Sequence, residues 1–401
     1  MPLDTGDTSF MLVATALVMI MTPGLAFFYG GLVSRKNVLT IMMQSYVSMG
    51  VSTILWVVVG YSLCFSGDVG GIIGNLDMAF LRGIEITDLG GLNDTIPLLL
   101  FVAYQMMFAI ITPALITGAF ANRITFKAYL IFLVTWQILV YYPFVHMIWG
   151  GGMLADWGVL DFAGGIVVHA LAGMAALASV IYVGKRGVED AGPHNVPFVA
   201  IGAALLWFGW FGFNAGSELA VDEVTAVAFI NTQIAAAFAA ITWLLLAWRH
   251  DGKPSFVEML IGMIAGLATI TPAAGFVSPQ SAMLIGVAAG AVCYFAVVFR
   301  KNKGLDDALD VWGVHGVGGA LGIVMLGVLA SESIGGQNGL YHGNQDFFVV
   351  QLAGLALACV WAFAFTYGML MMIDKVTPVR VSEEAEAALD VTLHGESAYT
   401  D

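Results

Sequence analysis

Two histidines set in long apolar runs carry the chemistry that stands out in this sequence. His169 closes Asp161-Phe-Ala-Gly-Gly-Ile-Val-Val-His169, and His315 sits in Asp310-Val-Trp-Gly-Val-His315-Gly-Val-Gly-Gly319. A titratable ring inside a membrane-length helix is costly and is a functional-site hypothesis by default. For either ring alone the plain alternative is a core histidine hydrogen-bonded to backbone; two rings in similar settings weaken it. Desolvation favours the neutral ring. A neutral imidazole has one donor and one acceptor, so it can bind a small polar solute or hand on a proton.

The elements that must hold these rings follow from composition. Of 401 residues 59% are hydrophobic and only 10% charged, against roughly 25% charged in soluble domains. No soluble fold hides so much apolar surface, so the chain reads as an integral membrane protein. The 48 glycines point to close helix packing through small residues. Cys64, Cys293 and Cys359 stand singly in apolar runs, without metal spacing, and read as packed side chains. Residues 1–8 contain Asp4 and Asp7 but no basic residue, so no cleavable secretory signal is expected there.

Apolar windows near 9–33, 39–65, 97–120, 126–148, 162–184, 196–216, 224–248, 256–275, 279–299, 308–331 and 345–374 predict eleven spanning helices. The weakest boundary is Phe276-Val-Ser-Pro279, between the eighth and ninth. If the connecting pieces alternate sides, one set holds 13 of the 14 Lys and Arg residues and the other only Arg82. The positive-inside rule then places the N-terminus outside and the C-terminus in the cytoplasm. The acid excess of 28 over 14 falls largely in the outer loops and tail, and reads as solvation or weak cation gathering.

An odd count divides into helices 1–5 and 6–10 as an inverted repeat, with His169 on the fifth and His315 on the tenth. Inverted repeats with a site near the midplane are a known transporter design. On regular helices, His169 lies about 12 Å inward of Asp161 and His315 about 7.5 Å beyond Asp310. Their glycine-rich flanks allow close approach, so the two rings are expected to face each other. No Lys, Arg or carboxylate falls in the middle of a span. An anion carrier wants a cation or helix N-termini there, and an ion-coupled carrier a carboxylate. The pathway suits a very small solute crossing uncharged.

In that topology Trp149 ends the fourth helix outside, Phe213 and Ser217 end the sixth, and Phe108 lies in the outer half of the third. Aromatic faces attract a cation by up to ~2 kcal/mol or more once desolvated, and a serine oxygen can accept its hydrogen bond. An interfacial aromatic belt explains Trp149 well on its own, and Ser217 and Phe213 less well. Asp161 is expected to cap the fifth helix first and to add attraction second.

These residues carry a family resemblance. The chain resembles the ammonium transporters of the Amt/Mep/Rh superfamily, the prokaryotic Amt branch above all. The likeness runs from Thr22-Pro-Gly-Leu-Ala-Phe-Phe-Tyr-Gly-Gly31 through Asp161-Phe-Ala-Gly-Gly-Ile-Val-Val-His169 and Gly209-Trp-Phe-Gly-Phe-Asn-Ala-Gly-Ser217 to Gly313-Val-His-Gly316. It implies a substrate site at Trp149, Phe108, Ser217 and Asp161, a gate of Phe108 and Phe213, and a pore lined by His169 and His315. It also implies a homotrimer, ammonium or ammonia as substrate, a lipid bilayer environment and no nucleic-acid partner. The implied architecture is an all-α polytopic membrane domain over 1–374 and a cytoplasmic regulatory tail over 375–401 that docks PII-type signalling proteins. No cofactor, metal or enzymatic activity is implied. Two departures are visible: Ile166 stands where many relatives have Thr, and Ala388 where Gly commonly precedes Leu-Asp.

The expected function is ammonium transport across the cytoplasmic membrane, with deprotonation before the pore because an ion is costly in low dielectric. A gas channel or an ammonium sensor on the same fold is the alternative; no kinase, cyclase or receiver-like segment is seen to favour a fused sensor. A haem protein is a rival from another class, but it lacks further paired histidines and CxxCH.

Overall fold

The computed structural model describes residues 3–90, 94–188 and 192–399. Residues 1 and 2 of the N-terminal segment and 400 and 401 of the tail lie outside the described residues.

Long apolar runs become helices because backbone groups in an apolar setting must be satisfied within their own segment. In chain order these are α1 (Thr5–Leu32), α2 (Val38–Phe65), α3 (Leu98–Ile116), α4 (Phe126–Trp136, continuing through Tyr142–Trp149) and α5 (Gly165–Val183). There follow α6 (Val196–Ala215), α7 (Glu223–Asp251), α8 (Phe256–Ile270), α9 (Pro279–Asn302), α10 (Trp312–Leu329) and α11 (Gln345–Asp374). Among the described residues, ten helices are long and apolar enough to cross a membrane; α8, with 15 residues, falls short. It ends five residues before the predicted 275, because residues 271–278 turn without helix until Ser278 caps α9.

Polar residues mark the helix starts. Asp4, Thr125, Asn195, Asp222, Ser255, Ser278 and Asn344 each accept a backbone N–H of the helix they precede, satisfying donors that a first turn leaves orphaned. A short hairpin, Leu89–Gly90 with Ile96–Pro97, lies between α2 and α3. The helices pack as a bundle in which α1 lies along α6, and α5 against α10 and α11.

Two helices are interrupted by π turns, Trp56–Gly60 and Gln137–Tyr141, and two open on one, Gly165–Ala170 and Trp312–Gly316. The last two contain His169 and His315. Such turns are rare and concentrate at functional sites. The spacings expected for regular helices therefore need correction. Residues 161–164 are not helical and the turn that follows is wide, while Asp310 has a left-handed backbone (φ 58°) ahead of the π turn bearing His315.

By composition the tail is an acidic tether; in the structure it is clamped. Asp390 accepts hydrogen bonds from the Leu39 and Thr40 N–H groups (3.0 and 2.8 Å) and from the Thr40 hydroxyl (2.9 Å). Leu389 N–H donates to Asn37, Val381 N–H to the Arg123 carbonyl, and the buried Glu386 accepts Gly187 N–H. Ala388 has no left-handed backbone, so its turn does not require glycine. Asp390→Ala removes three acceptances, and hydrogen exchange across residues 381–399 is expected to speed up by about tenfold or more. Unchanged exchange there contradicts the clamp.

Candidate functional site

The start of α5 organises the site. Asp161 is 5% exposed and its carboxylate collects four backbone N–H groups: Gly164 (2.8 Å) and Gly165 (2.6 Å) on Oδ1, Ile166 (2.7 Å) and Val167 (3.0 Å) on Oδ2. These are the donors that a helix start cannot bond internally. The turn needs Gly164, at φ 118°, where a side chain would also meet Val168. Ile166 contributes its N–H and buries its side chain completely, so no hydroxyl is called for in this arrangement. Asp161 is thus structural first, as its position predicts. Asp161→Ala strands these N–H groups at ~1–3 kcal/mol for each one left unsatisfied. We expect a lower thermal unfolding midpoint in detergent, and an unchanged midpoint contradicts the account.

The Asp161 carbonyl accepts the Trp149 indole N–H (2.8 Å), which fixes that ring at the end of α4. Trp149 meets Phe108 edge to face, centroids 5.9 Å apart. Just past α6, the Ser217 hydroxyl donates to the Phe213 carbonyl (2.9 Å) and lies 3.2 Å from the Tyr104 hydroxyl. Tyr104 in turn reaches the Gly212 and Phe213 carbonyls (2.9 and 3.0 Å). With its proton directed at a carbonyl, the Ser217 oxygen keeps lone pairs for a donor. Trp149, Phe108, Ser217 and Asp161 all line one pocket of about 620 Å³.

Phe108 and Phe213 are each 1% exposed, with ring centroids 4.4 Å apart and planes inclined at 35°. Phe108 belongs to the wall of the large pocket; Phe213 belongs to the wall of a narrow cavity of about 10 Å³ on the far side. The pair is the partition between them.

His169 and His315 line that narrow cavity with Met21, Leu25, Tyr29 and Trp210. They face each other, Nδ1 to Nδ1 at 3.2 Å, with ring centroids 5.2 Å apart. One Nδ1 must donate and the other accept. In neutral rings the donating ring then carries an unprotonated Nε2, and the accepting ring an Nε2–H. The two outward nitrogens are therefore one acceptor and one donor, the asymmetry a proton relay uses. His169 Nε2 is buried and has no hydrogen-bond partner among the described residues. His169 stacks on Trp210 at 5.5 Å and near Phe213 at 6.1 Å. At the start of α10, Arg300 pairs with Asp310. The buried Asp307 accepts Trp312 N–H (2.7 Å), and burial pushes its carboxyl up to about 6.

All seven residues singled out in the sequence line two neighbouring cavities or the wall between them: Trp149, Ser217 and Asp161 in the pocket, Phe108 and Phe213 at the partition, His169 and His315 in the narrow cavity. Sequence reasoning missed Tyr104 and Trp210. Trp210 is three residues before Phe213 and Tyr104 four before Phe108, spacings that share a helix face. An aromatic in an apolar helix otherwise reads as packing.

A profile described as the Ammonium Transporter Family matches residues 9–399. The chain is 46% identical over 404 residues to an ammonium transporter of Bacillus subtilis, covering all of both chains. It is 44% identical over 402 residues to the ammonium transporter Amt1 of Archaeoglobus fulgidus, covering 99% of this chain and all of that one. The crystal structure of Candida albicans Mep2 superposes with a TM-score of 0.89 at 35% identity, covering 95% of this chain and 87% of that one. A structure described as a sensor Amt protein gives 0.90 at 29% identity, covering 97% and 98%.

Proposed function

The chain belongs to the ammonium transporter family, a multi-pass membrane protein, and on that premise we propose that it carries ammonium across the cytoplasmic membrane. The observation that carries this reading is the sequence of chambers: an aromatic pocket, a two-phenylalanine partition, then a narrow cavity whose titratable groups include two facing histidines. Ammonium enters as a cation, held by the Trp149 and Phe108 rings and by the Ser217 oxygen, with Asp161 holding the frame. An ion cannot follow into so apolar a cavity without large cost. As the Phe108–Phe213 gate yields to the nitrogen, its proton passes to the histidine pair, which accepts or relays it, and the neutral molecule continues through the cavity.

The same reading includes eleven crossings, with α8 as the short eighth, and the inverted repeat of helices 1–5 and 6–10. The α1–α6 and α5–α10 pairings, which join equivalent members of the two halves, support the repeat. It places the N-terminus outside and the tail in the cytoplasm. The loops that meet the tail, at Asn37, Arg123 and Gly187, belong to the set rich in basic residues. Residues 1–374 form the membrane domain and 375–401 a regulatory tail, in a homotrimer whose cytoplasmic face docks a PII-type protein.

Purified protein in liposomes is expected to take up isotopically labelled ammonium saturably, well above empty liposomes. Uptake no greater than the blank overturns transport. The likeness to a sensor Amt protein supports one second reading, an ammonium sensor; saturable binding without uptake establishes it instead.

A further inference from the structure

We infer that Glu218 is the residue that gives the outer pocket its charge, setting how readily ammonium occupies it rather than how fast nitrogen passes the histidines. The inference rests on the transport reading above and deepens it. Two carboxylates stand in the pocket wall, Asp161 and Glu218. Both Asp161 oxygens are engaged by backbone N–H groups, two to each, so that charge is committed to the start of α5. Glu218 follows Ser217 directly and is half-buried. Among the described residues no hydrogen bond or ion pair holds its oxygens, and no Lys, Arg or His lines the pocket. The neighbouring carboxylate, Asp222, is tied to the start of α7 by the N–H groups of Val224 and Thr225.

A partly desolvated carboxylate with no fixed partner attracts a mobile one. Its field acts across walls of low dielectric, where charges interact more strongly than in water, and such a focused field raises the local concentration of a cation. The aromatic faces and the Ser217 oxygen can seat a cation, but they bring no net charge to the pocket. Glu218 supplies it one residue away from Ser217.

Ammonium uptake into liposomes by the full chain, measured against concentration at mildly alkaline pH and at low and high ionic strength, tests this with Glu218→Gln and Glu218→Asp. Gln removes the charge and keeps the shape. Half-saturation is expected to rise about fivefold in E218Q at low ionic strength, and the ratio to shrink as salt screens the field. The maximal rate is expected to stay within about twofold, the mark of an interaction that acts on binding alone. E218D, which keeps the charge, recovers most of the affinity. Wild-type half-saturation in E218Q overturns the inference while leaving transport intact. So does a rise that salt does not change, or one that E218D shares in full, since each marks a merely structural role. A wild type that takes up no ammonium overturns the reading beneath it instead.

Discussion

Replacing His169 by phenylalanine is expected to cut ammonium uptake about 100-fold, the scale on which a positioned proton-transferring group acts, while the protein still folds. Phenylalanine can keep the aromatic stacking that His169 has with Trp210 and Phe213. The one hydrogen bond lost is the Nδ1 contact with His315, at a cost of about 1–3 kcal/mol for the ring nitrogen left behind. The loss of uptake has a different origin. Without His169, the pair of facing rings below the Phe108–Phe213 partition is broken, and a proton taken up by His315 can no longer be handed from one ring to the other. His315→Phe is expected to act in the same direction, and the double variant to cost little more than either single one, because paired groups act as a unit. Uptake in H169F within twofold of wild type, with the protein shown to be folded, removes the relay from the mechanism.

Gly173→Val carries the second large effect, on folding. Gly173 of α5 lies against Gly316 in the π turn of α10, so close that a Cβ built on Gly173 overlaps the Gly316 Cα and N atoms. Backbone is on both sides, so no flexible side chain can give way. Gly319 repeats the contact one turn on, where a Cβ would come within 2.7 Å of the Gly165 carbonyl oxygen and the His169 Cβ. Small residues that let two membrane helices touch are what bring the two rings to 3.2 Å. Overpacking a tight core costs typically 1–3 kcal/mol and more where backbone must move. G173V is expected to lose most folded protein, read as the monodisperse yield in detergent and the thermal midpoint. A normal yield with an unchanged midpoint contradicts the close approach.

Much of this site was legible because it depends on local pattern. Apolar runs located the long helices, with every end but that of α8 within four residues, since length and hydropathy decide what can span a bilayer. His169, His315 and Asp161 stood out because polar residues are costly in such runs. The π turns could not be read, because the i→i+5 pattern depends on packing around Gly165 and Gly316 rather than on a residue preference. Tyr104 and Trp210 were hidden for the opposite reason: an aromatic is ordinary in an apolar helix, and only the tertiary contacts with Ser217 and His169 give these two a role. The tail clamp joins Asp390 to Thr40, 350 residues apart, and short-range pattern carries no information about that distance. α8 came out shorter than its apolar window because hydropathy marks burial in lipid or protein alike, and residues 271–274 are buried without being helical.

The central claim is that the chain moves ammonium by way of the facing histidines. Current across a solid-supported membrane carrying reconstituted protein, recorded during ammonium pulses alongside uptake by the same liposomes, tests it most directly. The account predicts an ammonium-dependent signal in the wild type that saturates with concentration and largely disappears in His169→Phe. A wild type with neither ammonium-dependent current nor uptake contradicts it.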